Sequence, residues 1–298
     1  MEKVKIGVLK CGNIGTAPLF EFLLDELADR KDITVRCVAT GSKMVAEDVK
    51  DALSSILKFD PNLLIFISPN PAVQGPAKAR EILLKNKIPI MIISDATGKR
   101  LKEEFEKLGI GYIIVMGDPL IGARREFLDP TEMAIFNSDI IKVLAITGVY
   151  KIIFQEIDRL IHGYKADLNP KLPTLIIDAD NIRDQSDFKN PYAKAKAMAA
   201  YEMLKSVDKI NNRACFTEKV KEKYISLVAC AHEIARMAAR LAEEAREIEK
   251  REDTLVRRPH SKKGKPKIKD KLMLSPTLDE KTYQKWLMTT KKETTTRD

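Results

Sequence analysis

Five short apolar runs, rich in Ile and Val and separated by stretches of helical periodicity, constrain this chain more than any other feature. The runs are Val4–Leu9, Ile33–Ala39, Leu63–Ile67, Ile90–Ile93 and Tyr112–Val115. Between them the apolar residues recur at helical spacing near Ala17–Arg30, Lys43–Lys58, Val73–Asn86 and Lys99–Lys107. Strands that are apolar throughout, rather than alternately, need cover on both faces. Right-handed crossovers supply that cover by placing the intervening helices on the two sides.

The fold class predicted is therefore α/β, a mostly parallel Rossmann-like sheet with helices on both faces. After Pro130 the pattern changes. Helices are expected over Thr131–Gly148, with Asp129-Pro130 as cap and first turn, and near Val149–Ile161, Pro191–Ile210 and Thr217–Glu252. The last two are rich in Ala, Met, Lys and Glu, which suits a helix bundle. Ala195, Ala197, Ala199 and Ala200 allow close helix packing, and Met198, Met203 and Met237 are expected as core filler. Leu172–Ile177 reads as a strand or an extended connector. The domains expected are 1–128 for the α/β unit, 129–252 for the helix bundle and 253–298 for a basic C-terminal segment. In that segment Leu272-Met273-Leu274, Tyr283 and Trp286 suggest a small C-terminal β hairpin, and Thr289–Asp298 is expected to be disordered.

The composition is that of a globular protein, 44% hydrophobic and 32% charged, with no apolar run of bilayer length. The first residues read as a strand rather than a signal peptide, so a cytoplasmic location is expected. Cys11, Cys37, Cys215 and Cys230 are scattered, as are His162, His232 and His260, which suggests reduced thiols and no metal site. The net charge of +9 is unevenly placed. From residue 250 onward fifteen Lys or Arg face seven Asp or Glu, leaving 37 and 36 for the rest of the chain. The run Arg257-Arg258-Pro259-His260-Ser261-Lys262-Lys263-Gly264-Lys265-Pro266-Lys267 reads as a solvated loop, or as a polyanion-binding stretch. It contains no aromatic residue for base stacking, which weighs against nucleic acid.

In an open parallel sheet ligands bind beyond the carboxyl ends of the strands. Those ends read Gly12-Asn13-Ile14-Gly15-Thr16, Thr40-Gly41-Ser42-Lys43, Ser68-Pro69-Asn70-Pro71, Ser94-Asp95-Ala96-Thr97 and Met116-Gly117-Asp118-Pro119. Any one such loop needs small polar residues anyway; five on one edge favour a ligand site. The first is not the dinucleotide fingerprint, because its third glycine is missing. The second strand also ends without the acidic residue that holds an NAD ribose, so NADP stays open as an alternative. There is no Walker loop and no Gly-x-Ser-x-Gly elbow, and no histidine lies in the first half to activate Ser42. Hydride transfer between two bound organic partners needs none of these; it needs two flat molecules held face to face.

The segments Lys5–Thr16, Leu24–Arg30, Gly41-Ser42-Lys43-Met44, Ser68-Pro69-Asn70-Pro71, Gly117–Pro130 and Phe136-Asn137-Ser138-Asp139 through Thr147-Gly148 carry a resemblance. Together they resemble the coenzyme F(420)-dependent methylenetetrahydromethanopterin dehydrogenases, over roughly Met1 to Glu252. The resemblance implies an oxidoreductase of archaeal one-carbon metabolism. It would transfer a hydride reversibly from methylenetetrahydromethanopterin to the deazaflavin F(420), giving methenyltetrahydromethanopterin, without metal or flavin. It also implies a homo-oligomer, a hexamer built as a trimer of dimers, with the active site between the α/β unit and the bundle.

On that footing Gly12, Asn13, Ile14, Gly15, Thr16, Gly41, Ser42, Ser68, Pro69, Asn70 and Pro71 are expected on the deazaflavin side. Backbone N–H groups at Ile14 to Thr16 would meet a phosphate or a polar ring edge. Arg124, Arg125, Asp129, Asn137 and Lys142 are expected on the pterin side, with Asp95 and Asp139 as the catalytic carboxylates. A carboxylate near the reacting carbon favours the methenyl cation as its charge develops. Asp95, Asp118, Asp129 and Asp139 can each equally serve as a helix cap or loop aspartate. An alternative reading makes the basic tail a holder of the ligands' acidic tails.

Overall fold

The structure is a computed structural model that describes residues 3–26, 28–119, 127, 129–166, 169–259 and 261–292. Its first half alternates as the apolar runs predict: β1 (Val4–Lys10), α1 (Thr16–Glu26), β2 (Ile33–Ala39), α2 (Ala46–Phe59), β3 (Leu63–Ile67), α3 (Gln74–Lys85), β4 (Ile90–Asp95), a 3-10 turn (Ala96–Leu101), α4 (Lys102–Lys107) and β5 (Gly111–Val115). Then follow α5 (Pro130–Thr147), α6 (Val149–Lys165), β6 (Thr174–Ile177), α7 (Ala179–Gln185), α8 (Pro191–Asn212), α9 (Lys221–Arg251), β7 (Lys267–Ile268), β8 (Thr277–Leu278) and α10 (Glu280–Lys292). A π turn (Arg213–Thr217) closes α8.

The main sheet has the order β2-β1-β3-β4-β5-β6 and every pairing in it is parallel. β6 pairs with β5 from Tyr112↔Thr174 to Val115↔Ile177, so the sheet takes its sixth strand from the chain segment that otherwise supplies the bundle. Side-chain alternation divides the core. Ile65, Ile67, Ile93, Ile113 and Val115 face α1, α5, α6, α8 and α9. Leu64, Phe66, Ile92 and Ile114 face α2, α3 and α4. Burying each such side chain stabilises the fold by roughly 1.5–3 kcal/mol. α8 and α9 approach through small residues, among them Ala193, Ala197 and Ala245 in one cluster. Met198 and Met203 pack on the core as expected; Met237 does not, being 45% exposed on the outer face of α9.

The C-terminal segment departs from expectation. Its hairpin is only the two-residue β7–β8 pairing, with Leu272, Met273 and Leu274 exposed between the strands. Tyr283 and Trp286 belong to α10, not to the hairpin. The reason is a cap: Asp279 accepts from the Thr282 N–H at 3.1 Å and from its hydroxyl at 2.8 Å, starting a helix that runs to Lys292. The basic run is docked rather than simply solvated. Arg258 is bound by Asp187 through two contacts of 2.8 Å, and by Asp279. The Gly264 carbonyl lies 2.7 Å from His162 Nε2 on α6. Beneath it Arg30, with a fully buried side chain, bridges Asp32 and Asp158 at 3.0 and 2.6 Å.

Candidate functional site

The carboxyl ends of β1, β2, β3 and β4 are tied into one surface. The Gly12 N–H donates to the Gly41 carbonyl at 3.1 Å, and Gly12 takes a φ of 88° that suits glycine alone. A Cβ on Gly12 would stand 2.8 Å from Pro69 and 2.9 Å from Met44, so three loops meet there. Ser68 Oγ lies 3.9 Å from Met44 Sδ. Thr97 Oγ1 donates to the Pro69 carbonyl, and Asn70 Oδ1 accepts from Arg100 at 2.7 Å. Gly41 and Ser42 stay exposed at the rim, while Asn13 and Asn70 are half-buried.

The loop after β5 crosses these ends and contacts the start of α1. Tyr201 of α8 positions it: its hydroxyl donates to the Ile177 carbonyl at 2.7 Å and accepts from the Gly117 N–H at 3.2 Å. The next residue, Asp118, is fully buried. Its carboxylate accepts from the Gly15 N–H at 2.5 Å, from the Thr16 N–H at 2.9 Å and from the Thr16 hydroxyl. The Gly15 and Thr16 N–H groups therefore already have an internal partner, against the expectation that they meet a phosphate or a ring edge. A Cβ on Gly15 would lie 2.7 Å from both Asp118 Oδ1 and Ile140 Cγ2, which places this loop against α5 of the bundle.

Asp95 closes β4. Its Oδ1 accepts from the Thr97 N–H at 2.9 Å, the cap reading. Its Oδ2 is buried with no hydrogen-bond partner, which a cap does not require. Burial, together with the negative charges of Asp208 and Asp118, pushes its pKa up to about 8. Burial also pushes Asp118 up to about 7, against its three donors, and Asp208 of α8 up to about 6. Because Asp118 is held as an acceptor by three donors, Asp95 is the member of the trio fitted to carry a proton near neutrality. Asn137 on α5 and Asn211 on α8 also hold buried amide atoms without partners.

The remaining expected residues fall elsewhere or on other duties. Asp129 caps α5, accepting from the Glu132 N–H at 2.7 Å. Asp139 faces α9: its strongest charged neighbours are Lys142, Arg236, Glu243 and Arg240, and burial raises its pKa. Lys142 pairs with Glu243 at 2.8 Å. The structure thus brings Asp95 to the strand-end loops and sets Asp139 among charged side chains of α5 and α9. Arg124 and Arg125 lie outside the described residues. Asp208 and Asn211 were not anticipated. The signal was available, since the buried stripe of α8, Ala193, Ala197, Ala200, Tyr201, Leu204 and Val207, continues in register onto these two polar residues. A separate cavity of about 590 Å³ surrounds the far end of α5, lined by Gly148, Lys151, Phe154, Phe188, Arg246 and Arg257 among others; it contains none of the strand-end residues.

A doubly wound sheet whose strand-end loops meet beside a buried, half-satisfied carboxylate has the architecture of the α/β ligand-binding proteins. A family model described as methylene-5,6,7,8-tetrahydromethanopterin dehydrogenase matches residues 4–277. The chain is 53% identical over 273 residues to the F420-dependent methylenetetrahydromethanopterin dehydrogenase of Methanothermobacter marburgensis, covering 92% of this chain and 99% of that one. It is 54% identical to the Methanobrevibacter smithii enzyme and 51% identical to that of Archaeoglobus fulgidus, with the same coverage in each case. A solved structure of F420 dependent methylene-tetrahydromethanopterin dehydrogenase, in complex with methylene-tetrahydromethanopterin and coenzyme F420, is similar with a TM-score of 0.89 and 46% identity. That likeness spans 92% of this chain and all of the solved one. The chain belongs to the methylene-5,6,7,8-tetrahydromethanopterin dehydrogenase family.

Proposed function

We propose that this chain is an F420-dependent methylenetetrahydromethanopterin dehydrogenase, moving a hydride reversibly between methylenetetrahydromethanopterin and coenzyme F420 to give methenyltetrahydromethanopterin and reduced F420. The observation that carries the reading is the likeness, over the whole length of the solved chain, to an enzyme holding both compounds. F420 is a co-substrate here rather than a resident group.

The residues support the chemistry in specific ways. The loops at Gly12–Ile14, Gly41–Ser42 and Ser68–Pro71 offer backbone and small side chains to the deazaflavin. Gly15 and Thr16 shape that surface from behind, since Asp118 holds their N–H groups. Asp95, with one free buried oxygen, faces the reacting centre; in its neutral form Oδ2 can donate a hydrogen bond, and in its ionised form it favours the developing methenyl cation. Asn137 and Lys142 on α5, with Arg124, Arg125 and Asp129, are proposed for the pterin side, and Asp139 as a second carboxylate acting from among the charged side chains of α5 and α9. A homo-oligomer is part of the proposal, a hexamer in the form of a trimer of dimers. It is supported by outward apolar side chains such as Met273, 92% exposed, and Tyr192, 77% exposed. A cytoplasmic location is proposed too; among the described residues no helix is long and apolar enough to cross a membrane.

The test is direct. Purified protein mixed with oxidised F420 and methylenetetrahydromethanopterin should bleach the deazaflavin absorbance. No bleaching from a folded preparation sinks the reading, and equal rates with NADP as acceptor overturn the choice of co-substrate.

A further inference from the structure

In dinucleotide-binding α/β folds the N-terminus of the first helix seats a phosphate, through N–H groups left free by the helix start and through the helix dipole. Here the corresponding donors are spent. The Gly15 and Thr16 N–H groups and the Thr16 hydroxyl all donate to Asp118, a residue with no solvent exposure. That carboxylate is carried in by the loop after β5, whose course Tyr201 sets from α8. The approach is close enough that only glycine serves at position 15, where a Cβ would meet Asp118 Oδ1 at 2.7 Å. A second buried carboxylate, Asp95, keeps an unpartnered oxygen, and Asp208 adds a third acid beside them. The floor of this loop cluster is thus lined by buried carboxyls, and its helix-start donors are occupied, where a dinucleotide site presents free N–H groups.

We infer that Asp118 is a specificity-determining residue of this loop cluster. Its carboxyl takes up the Gly15 and Thr16 donors, occupies the phosphate position of α1 and turns away phosphate-first hydride carriers such as pyridine dinucleotides, in favour of a carrier that meets this loop with an uncharged ring edge. The inference rests on the proposed function for its choice of carrier, and it explains the missing third glycine, because no pyrophosphate has to approach the backbone here. Asp118 acts through the loop and is a positioning residue, not a catalytic one.

The test uses the full chain, labelled for amide spectroscopy, with inorganic pyrophosphate and formate as probes. In the native chain neither probe should shift the Gly15 and Thr16 amides saturably. In Asp118→Gly both amides should gain a saturable shift with formate, which replaces the lost carboxylate, and with pyrophosphate. Asp118→Asn keeps the shape but removes the charge and turns the acceptor facing Thr16 into an amide donor; it should gain a pyrophosphate-dependent shift at Thr16 and bind the probe at least roughly tenfold more tightly than the native chain. A saturable shift at these amides in the native chain overturns the inference, and so does a folded Asp118→Asn chain that stays blind to pyrophosphate. The readout is independent of turnover: loss of the F420 reaction with the anion result intact would defeat the functional reading and leave the phosphate block standing.

Discussion

At the scale of single residues, Asp95 separates a structural duty from a functional one. One oxygen caps the 3-10 turn; the other is buried and idle. Asp95→Asn keeps the cap acceptor and removes the titratable carboxyl, so turnover with F420 should fall by about a hundredfold. Asp139→Ala should also lower turnover with the fold intact; native rates in both variants would remove them from the site. The raised pKa of Asp95 has a thermodynamic consequence as well. The folded state holds its proton more tightly than the unfolded chain, so its contribution to stability is full below 3.8 and is lost as pH rises through about 8. The midpoint of Asp95→Asn, measured against the native chain, should therefore gain between about pH 4 and about pH 8 and level off above that. A difference that stays flat over that window would show that the carboxyl is not held neutral.

At the scale of elements, what matters is how a loop, a strand end and a bundle helix lock together. The turn after β1 is legible as glycine-rich and polar, and its placement on the strand-end edge follows from the alternation of strands and helices. What it touches is not legible. Gly12 is needed for its φ of 88°, whereas Gly15 is needed for space beside Asp118 and Ile140, residues more than a hundred positions away. Gly15→Ala should accordingly destabilise by about 1–3 kcal/mol through overpacking, read from the denaturant midpoint. An unchanged midpoint would mean that α5 and the loop after β5 yield to the added methyl. The same distinction separates Asp129 from Asp95. Both read as loop aspartates in the sequence, yet Asp129 accepts the Glu132 N–H as the α5 cap, and burial in the folded chain singles out Asp95.

For the whole molecule, the parallel sheet is clamped to the bundle and tail by a few buried ion pairs. Arg30 joins the β2 entry to α6 through Asp32 and Asp158, and Asp158 is 1% exposed. Arg30→Met should cost about 3–5 kcal/mol by removing the guanidinium that pairs with buried Asp158, and pairing it with Asp158→Leu should recover part of the loss in urea unfolding. A double variant no better than the single one would place the cost in packing. Arg258 acts likewise for the tail, where Asp187 and Asp279 absorb charge that, counted along the chain alone, looks like a nucleic-acid signal.

The sequence by itself determined the elements: which runs become buried parallel strands, which stretches become helices, and which edge carries the polar loops. Those features follow from local periodicity and turn chemistry, which a single chain displays in order. Only the tertiary structure decided that a strand from the second half joins the sheet, and that α8 brings Asp208 towards Asp95. It alone filled the α1 terminus with Asp118 instead of leaving it open. Each of these is a contact between residues distant in sequence. Burial and hydrogen-bond supply, which decide whether an aspartate is a cap, a plug or a proton holder, exist only once those segments have met.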